Sequence, residues 1–199
     1  MGNSKLFTPV TFGPLTLRNR TIRSAAFESM CPGNAPSDML LDYHRSVAAG
    51  GIGMTTVAYA AVTRSGLSFD RQLWMRPEII PGLRELTDAI HAESAAAGIQ
   101  LGHCGNMSHK SICGCTPVGA SGGFNLYSPT FVRGLRADEL PEMARAYGRS
   151  VNLAREAGFD AVEIHAGHGY LISQFLSPST NHRKDEFGGS LQNRMRFMD

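Results

Sequence analysis

Four short runs of apolar and β-branched residues, near positions 21, 52, 99 and 160, alternate with three amphipathic segments of helical period. This alternation constrains the fold more than any other feature, because strands joined through helices must run parallel and bury both faces of their sheet. Ser37 or Asp38 caps a helix to about residue 49, with Leu41, His44 or Arg45, and Ala48 at helical spacing before Gly50-Gly51 end it. Residues 52–58 are apolar or Thr throughout and predict a buried strand. Pro81 opens a second helix striped by Leu83, Leu86, Ile90 and Ala97, closed by Gly98 before a strand at 99–103. Asp138 caps a third helix, over about 139–157, with Met143, Tyr147, Val151 and Ala154 on one face. Gly158 ends it and a strand at 160–164 follows. Ahead of the first strand, at 21–25, two short strands around Gly13-Pro14 read as a hairpin. No Gly-x-Gly-x-x-Gly follows that strand, and the pattern alone fits either an open doubly wound sheet or part of a barrel.

Parallel strands place their carboxyl ends on one rim, where α/β folds keep their chemistry. His165 closes the last strand, and His168 and Tyr170 follow within six residues. On residue type alone the histidines also suit a structural pair or two ligands of a metal, and Tyr170 a buried aromatic. Side chains alternate along a strand, so Glu163 shares a face with His165, and Arg23 on the first strand is a candidate partner for it. A Glu163 bonded to amides is the rival reading. Gln100, polar within a buried run, is either a ligand contact or a satisfied amide. Residues 104–136 form a Gly-, Ser- and Pro-containing excursion longer than ordinary connections, which suggests a functional or lid-like insertion.

Residues 158–196 resemble one family closely. His165, His168-Gly169-Tyr170-Leu171, Gln174 to Pro178, Asn181 with Arg183, Gly188-Gly189-Ser190 and Asn193-Arg194 together resemble the signature of the Old Yellow Enzyme family of FMN-dependent ene-reductases. The resemblance implies a (β/α)8 TIM barrel of which only about the first four βα units are present, residues 1–199 being the amino-terminal part of a single FMN-binding domain. It implies FMN as cofactor, NADH or NADPH as reductant, and a small α,β-unsaturated carbonyl compound as substrate. By the same resemblance Ser24, Ala25, Ala26, Phe27, Tyr59, Gln100 and His165 hold the flavin. Ser29, His165 and His168 bind the substrate, and Tyr170 gives the proton. No metal is expected. Asn181, Arg183, Asp185 and the Gly188-Gly189-Ser190 turn read mainly as a structural loop with a helix cap. Two positions depart from the family pattern: Phe27 stands where many members carry a Thr or Cys bonded to the flavin, and Asn106 where many carry Arg. The alternatives are a catalytically inactive fragment or flavin-free binding module, and a metal-dependent barrel hydrolase using the two histidines.

Length sharpens the barrel reading, since 199 residues fall short of the about 250 of a complete barrel. The chain is therefore expected to be a fragment, without the later strands that bring an arginine to the flavin and cradle its phosphate. A half barrel has two free sheet edges, and instability or a homo-oligomer is expected of it. A net charge of +2, with Lys and Arg scattered, leaves no footprint for nucleic acid. No run approaches the about 18 apolar residues of a membrane span, and the start lacks a signal-peptide pattern, so a soluble, cytoplasmic protein is expected. Met1-Gly2-Asn3 resembles an acylation start, but Leu6 stands where Ser or Thr is required. Cys31, Cys104, Cys113 and Cys115 are then reduced thiols, and Cys-x-Cys is not the usual zinc spacing even with His103 and His109 nearby.

Overall fold

The computed structural model describes residues 4–198; Met1-Gly2-Asn3, with the acylation-like start, and Asp199 lie outside the described residues. The chain opens with an antiparallel hairpin of β1 (Val10–Phe12) and β2 (Leu15–Leu17), turned at Gly13-Pro14 as its sequence predicts. A parallel sheet follows, built from β3 (Ile22–Arg23), β4 (Met54–Ala61), β5 (Ala96–Gly102) and β9 (Ala161–Ile164) in that order. Each strand lies beside the one before it, as in the wall of a barrel. The connecting helices are α1 (Asp38–Ala49), α2 (Ile80–Ala92) and α4 (Leu140–Glu156). They cover the outer face, where Leu40, Leu83, Leu86 and Ile90 pack on Val57, Ile99 and Leu101 in one core. β3 and β9 are free edges, and Ile22 and Ile164 are both 45% exposed there. No helix among the described residues is long and apolar enough to cross a membrane.

Several boundaries differ from the sequence expectation, each for a local reason. The first strand shrinks to two residues, and Ser24 to Met30 run on without a ladder partner. The second continues to Ala61, with a register shift between Val57 and Ala60 that sets Ala58 and Tyr59 in a bulge at the rim. α2 stops at Ala92, because Ser94 takes a left-handed φ of 59°, and Ala97 pairs with Thr55 inside β5 instead of extending the helix stripe. Ala is a poor strand former alone; ladder pairing overrides its propensity here. Asp138 does not cap α4: a short 3-10 turn precedes the helix, and the Glu139 carboxylate accepts the Arg136 N–H at 2.8 Å. The buried face of α4 is Leu140, Met143, Ala146, Ser150 and Ala154, leaving Val151 exposed, since repeated i+4 steps drift around a helix of 3.6 residues per turn.

The long excursion is structured. It contains α3 (Lys110–Cys113) and a small sheet of β6 (Val118–Gly119), β8 (Thr130–Gly134) and β7 (Gly123–Asn125), in that spatial order. Two helices end the chain, α5 (Leu171–Leu176) and α6 (Leu191–Met195), the latter capped by Ser190 as expected. Val118, Ala120 and Leu135 pack with Leu140, Met143, Leu171 and Phe175 in a second core that seats the excursion against α4 and α5. Asn181 supports it, its amide donating to the carbonyls of Phe175 and Phe187 at 2.7 and 2.8 Å, while Arg183 donates to those of Ala120 and Leu135.

His103, at the end of β5, is fully buried between both layers. Its Nδ1 accepts the Gly105 N–H at 2.9 Å, so its proton sits on Nε2, facing Ser65 Oγ at 3.0 Å. Burial pushes its pKa down to about 3. Below about pH 6.5 the unfolded imidazole therefore binds a proton that the folded one refuses, and stability falls as pH drops. A loss on the order of 3–5 kcal/mol between pH 6.5 and pH 3 is expected from this group. Urea midpoints across that range test it, and His103→Gln should flatten the slope.

Candidate functional site

The carboxyl ends of the four parallel strands enclose a cleft of about 260 Å³. Its floor is made of small side chains, Ala25, Ala26 and Ala58, from the extended stretch after β3 and the bulge of β4. Among the described residues, Ala26 to Ser29 share no main-chain hydrogen bond with another segment, so their amides are available to a ligand. Gln100, two residues inside the end of β5, presents its side chain to the same space.

The far wall is aromatic. His165, 8% exposed, stands edge-on to Tyr59 and Tyr170, with ring centroids 5.8 and 5.0 Å away. His168 Nδ1 and His165 Nε2 lie 3.1 Å apart, one donating to the other. The His165 pKa is lowered, by burial first and then by His168, so the ring is neutral at pH 7 and keeps one N–H to give. Burial raises the Tyr170 phenol, which holds its proton through neutral and mildly alkaline pH. The Tyr59 hydroxyl, by contrast, is committed to the Gly66 carbonyl at 2.7 Å. Two of the non-glycine residues in the left-handed region, Ser29 (φ 52°) and His168 (φ 55°), line this cleft. Strain of this kind concentrates at functional sites.

Sequence reasoning missed the anchor beneath the floor. Glu28, its side chain 5% exposed, takes Arg23 Nη1 at 2.8 Å, His44 Nε2 at 3.0 Å and the Ala58 N–H at 3.2 Å. His44 is itself fully buried and bonds Thr55 Oγ1 at 2.8 Å. Arg23 is therefore not the partner of Glu163: three inter-strand steps, about 14 Å, separate β3 from β9, beyond an arginine's reach. Glu163 instead accepts from the Gln100 amide on the adjacent strand. Glu28→Ala should leave the Arg23 guanidinium and His44 Nε2 without their carboxylate and cost about 3–5 kcal/mol. Chemical denaturation measures this, and a loss under about 1 kcal/mol would show that water replaces the carboxylate. The signal in the sequence was His44 on the buried face of α1, a polar group that needed a partner.

Of the residues implicated by resemblance, Ala25, Ala26, Phe27, Ser29, Tyr59, Gln100, His165, His168 and Tyr170 converge on the cleft. Ser24 does not: it is exposed and lies outside the lining, one step out of phase with Ala25. Phe27 leans on Phe69, centroids 4.6 Å apart, at the mouth. Arg71, which no motif or spacing singles out, also lines the cleft, with no Asp or Glu within ion-pair distance among the described residues. The suspected zinc-type residues are engaged elsewhere: His103 as above, Cys104 Sγ to the Leu67 carbonyl at 3.3 Å, and His109 as the cap of α3. A planar group with an apolar face and a polar edge fits the alanine floor, the free amides, Gln100 and His165.

The sequence model of the NADH:flavin oxidoreductase / NADH oxidase family, Oxidored_FMN, matches residues 5–199. The chain belongs to this family. Members use FMN with NADH or NADPH. The chain is 42% identical over 192 residues to a 4,4'-dithiodibutanoate disulfide reductase of Rhodococcus erythropolis, covering 96% of this chain and 48% of that protein. It is 37% identical to the NADPH dehydrogenase of Bacillus subtilis (strain 168), covering 98% and 57%. Among solved structures, an old yellow enzyme homologue from Zymomonas mobilis superposes with a TM-score of 0.91 at 29% identity, over 98% of this chain and 57% of that one. Morphinone reductase in complex with tetrahydroNAD gives 0.91 at 29% identity, over 98% and 58%. The chain thus spans about half the length of the relatives it matches. The fold is that of the family's (β/α)8 barrel, of which the described residues form an open, four-stranded part.

Proposed function

We propose that residues 1–199 form the amino-terminal part of a single FMN-binding barrel domain that uses NADH or NADPH to reduce the activated C=C bond of α,β-unsaturated carbonyl compounds. The observation that carries this reading is the meeting of His165, His168 and a protonated Tyr170 on one wall of a cleft with an alanine floor. Ala25, Ala26, Phe27, Tyr59, Gln100 and His165 hold the flavin ring in this reading, with Ser24 a supporting neighbour outside the lining. Reduced FMN, when bound, supplies a hydride to the β-carbon of the substrate.

The chain's own groups manage the charge and the proton. As the hydride arrives, negative charge gathers on the carbonyl oxygen, and fixed N–H donors there lower the barrier. His165 Nε2 and His168 Nδ1 now share one hydrogen bond; when the accepting ring shifts its proton onto this nitrogen, an incoming oxygen takes one N–H from each ring. Ser29 lines the same cleft and binds the substrate in this reading. Tyr170 Oη then gives its proton to the α-carbon as general acid. Tyr59 and the buried ring of His165 keep water from that wall.

The test is an FMN titration of the complete barrel domain that contains these residues, followed by anaerobic turnover with NADPH and 2-cyclohexenone. Bound flavin reoxidised by the enone supports the reading. Failure to bind FMN supports the rival, a flavin-free binding module. The 42% identical relative is named for an organic disulfide, so 4,4'-dithiodibutanoate belongs in the same assay as a second electron acceptor.

A further inference from the structure

The excursion carries a pair of thiols that neither the cleft nor the packing around it uses. α3 ends at Gly114, whose φ of 74° reverses the chain at no steric cost to glycine. The reversal brings Cys115 back over the helix end, so that its Sγ lies 3.6 Å from Cys113 Sγ, whose own S–H donates to the Cys115 carbonyl at 3.2 Å. Cys113 is buried and Cys115 exposed. The Cys115 thiol opens into a hollow of about 590 Å³ that Thr63, Ser65 and Arg133 also line. Beside it the Arg64 guanidinium sits 3.2 Å from where a Cβ on Gly114 would stand.

We propose that Cys113-Gly114-Cys115 is a redox-active dithiol that closes to an intrachain disulfide by exchange with a small disulfide of a low-molecular-weight thiol. The exposed Cys115, as thiolate, attacks one sulfur of the small disulfide; that S–S bond breaks, a mixed disulfide forms, and the released thiolate takes up a proton. Cys113, as thiolate, then attacks Cys115 Sγ and expels the second small thiolate, which is protonated in turn. Two protein thiols lose two electrons and two protons, and the small disulfide becomes two thiols.

Geometry favours closure over a lasting mixed disulfide. The sulfurs must close by about 1.5 Å to reach a bond of about 2.05 Å, a shift within the swing of the exposed Cys115 side chain. Burial and the neighbouring Cys113 push the Cys115 thiol up, while Arg64 and Arg133 draw it back toward the thiolate. The other two cysteines do not compete, because burial holds both Cys31 and Cys104 at about 12. This chemistry needs no flavin and is independent of the proposed reduction in the cleft.

The experiment incubates the chain with oxidised glutathione, without nicotinamide, then blocks remaining thiols and weighs the tryptic peptide of residues 111–133. The expected product is that peptide lighter by two hydrogens, unalkylated and free of glutathione, with Cys31 and Cys104 still alkylated. The Cys113→Ser variant should instead keep one glutathionyl group on Cys115, and Cys115→Ser should react at neither position. A glutathionyl group that persists on Cys115 in the wild-type chain overturns the proposal. So does a wild-type peptide 111–133 that stays fully alkylated.

Discussion

With His165→Ala and His168→Gly combined, the flavin-loaded protein is expected to lose binding of simple phenols and to drop in kcat/KM for enone reduction by about 10³-fold or more, with FMN still bound. One preorganised donor at a developing oxyanion is worth about 10²–10³-fold, and in the proposed role this variant removes two, the ring nitrogens that lie 3.1 Å apart. Glycine is the right replacement at 168, since that residue sits at φ 55°, where alanine would add backbone strain and confuse the readout. Asparagine tolerates the same backbone and keeps an N–H, so His168→Asn should restore a large part of the lost rate. Phenol titrations followed through the flavin band, with steady-state kinetics, measure both effects. Retained phenol binding in the double variant would sink the oxyanion assignment.

Tyr170→Phe should leave the aromatic wall packed, because the ring keeps its contacts with Tyr59 and His165. It removes only the proton. General acids contribute about 10²–10⁴-fold, so reoxidation of the flavin by an enone should slow by that factor while its reduction by NADPH stays unchanged. Stopped-flow absorbance separates the two half-reactions. A Tyr170→Phe variant that slows both equally would assign the phenol to positioning instead. The pH profile adds a sign: the working form of Tyr170 is protonated and burial raises its pKa, so the wild-type reoxidation rate should not fall on the alkaline side until above the ordinary phenol value of about 10.

Much of this was legible in the chain itself, because the signals are local. Strand and helix periods are written in consecutive residues, and they predict the parallel βα order, the hairpin at Gly13-Pro14, a cap at Ser37 or Asp38 that the structure assigns to Ser37, and the Ser190 cap. The signature from His165 to Arg194 likewise named the family and put His165, His168 and Tyr170 on one strand end. What failed were statements about lateral partners and lengths. Shared facing makes Arg23 a candidate partner for Glu163, yet facing says nothing of how many strands lie between; the sheet order decides for Glu28. Ala97 fits a helix stripe because alanine carries no signal against it, and only ladder pairing with Thr55 makes it strand.

The sequence by itself determined the alternation of strands and helices and which chemical groups stand at the strand ends, since both follow from spacing along the chain, and its signature residues carried the resemblance to the family. Only the tertiary structure decided that Glu28 braces the floor through Arg23, His44 and Ala58, that Ser24 stands clear of the cleft, and that Cys113 and Cys115 meet across a glycine reversal. Each of those depends on distances across strands or on one backbone torsion. Periodicity specifies which face a side chain takes; it does not specify what it meets there.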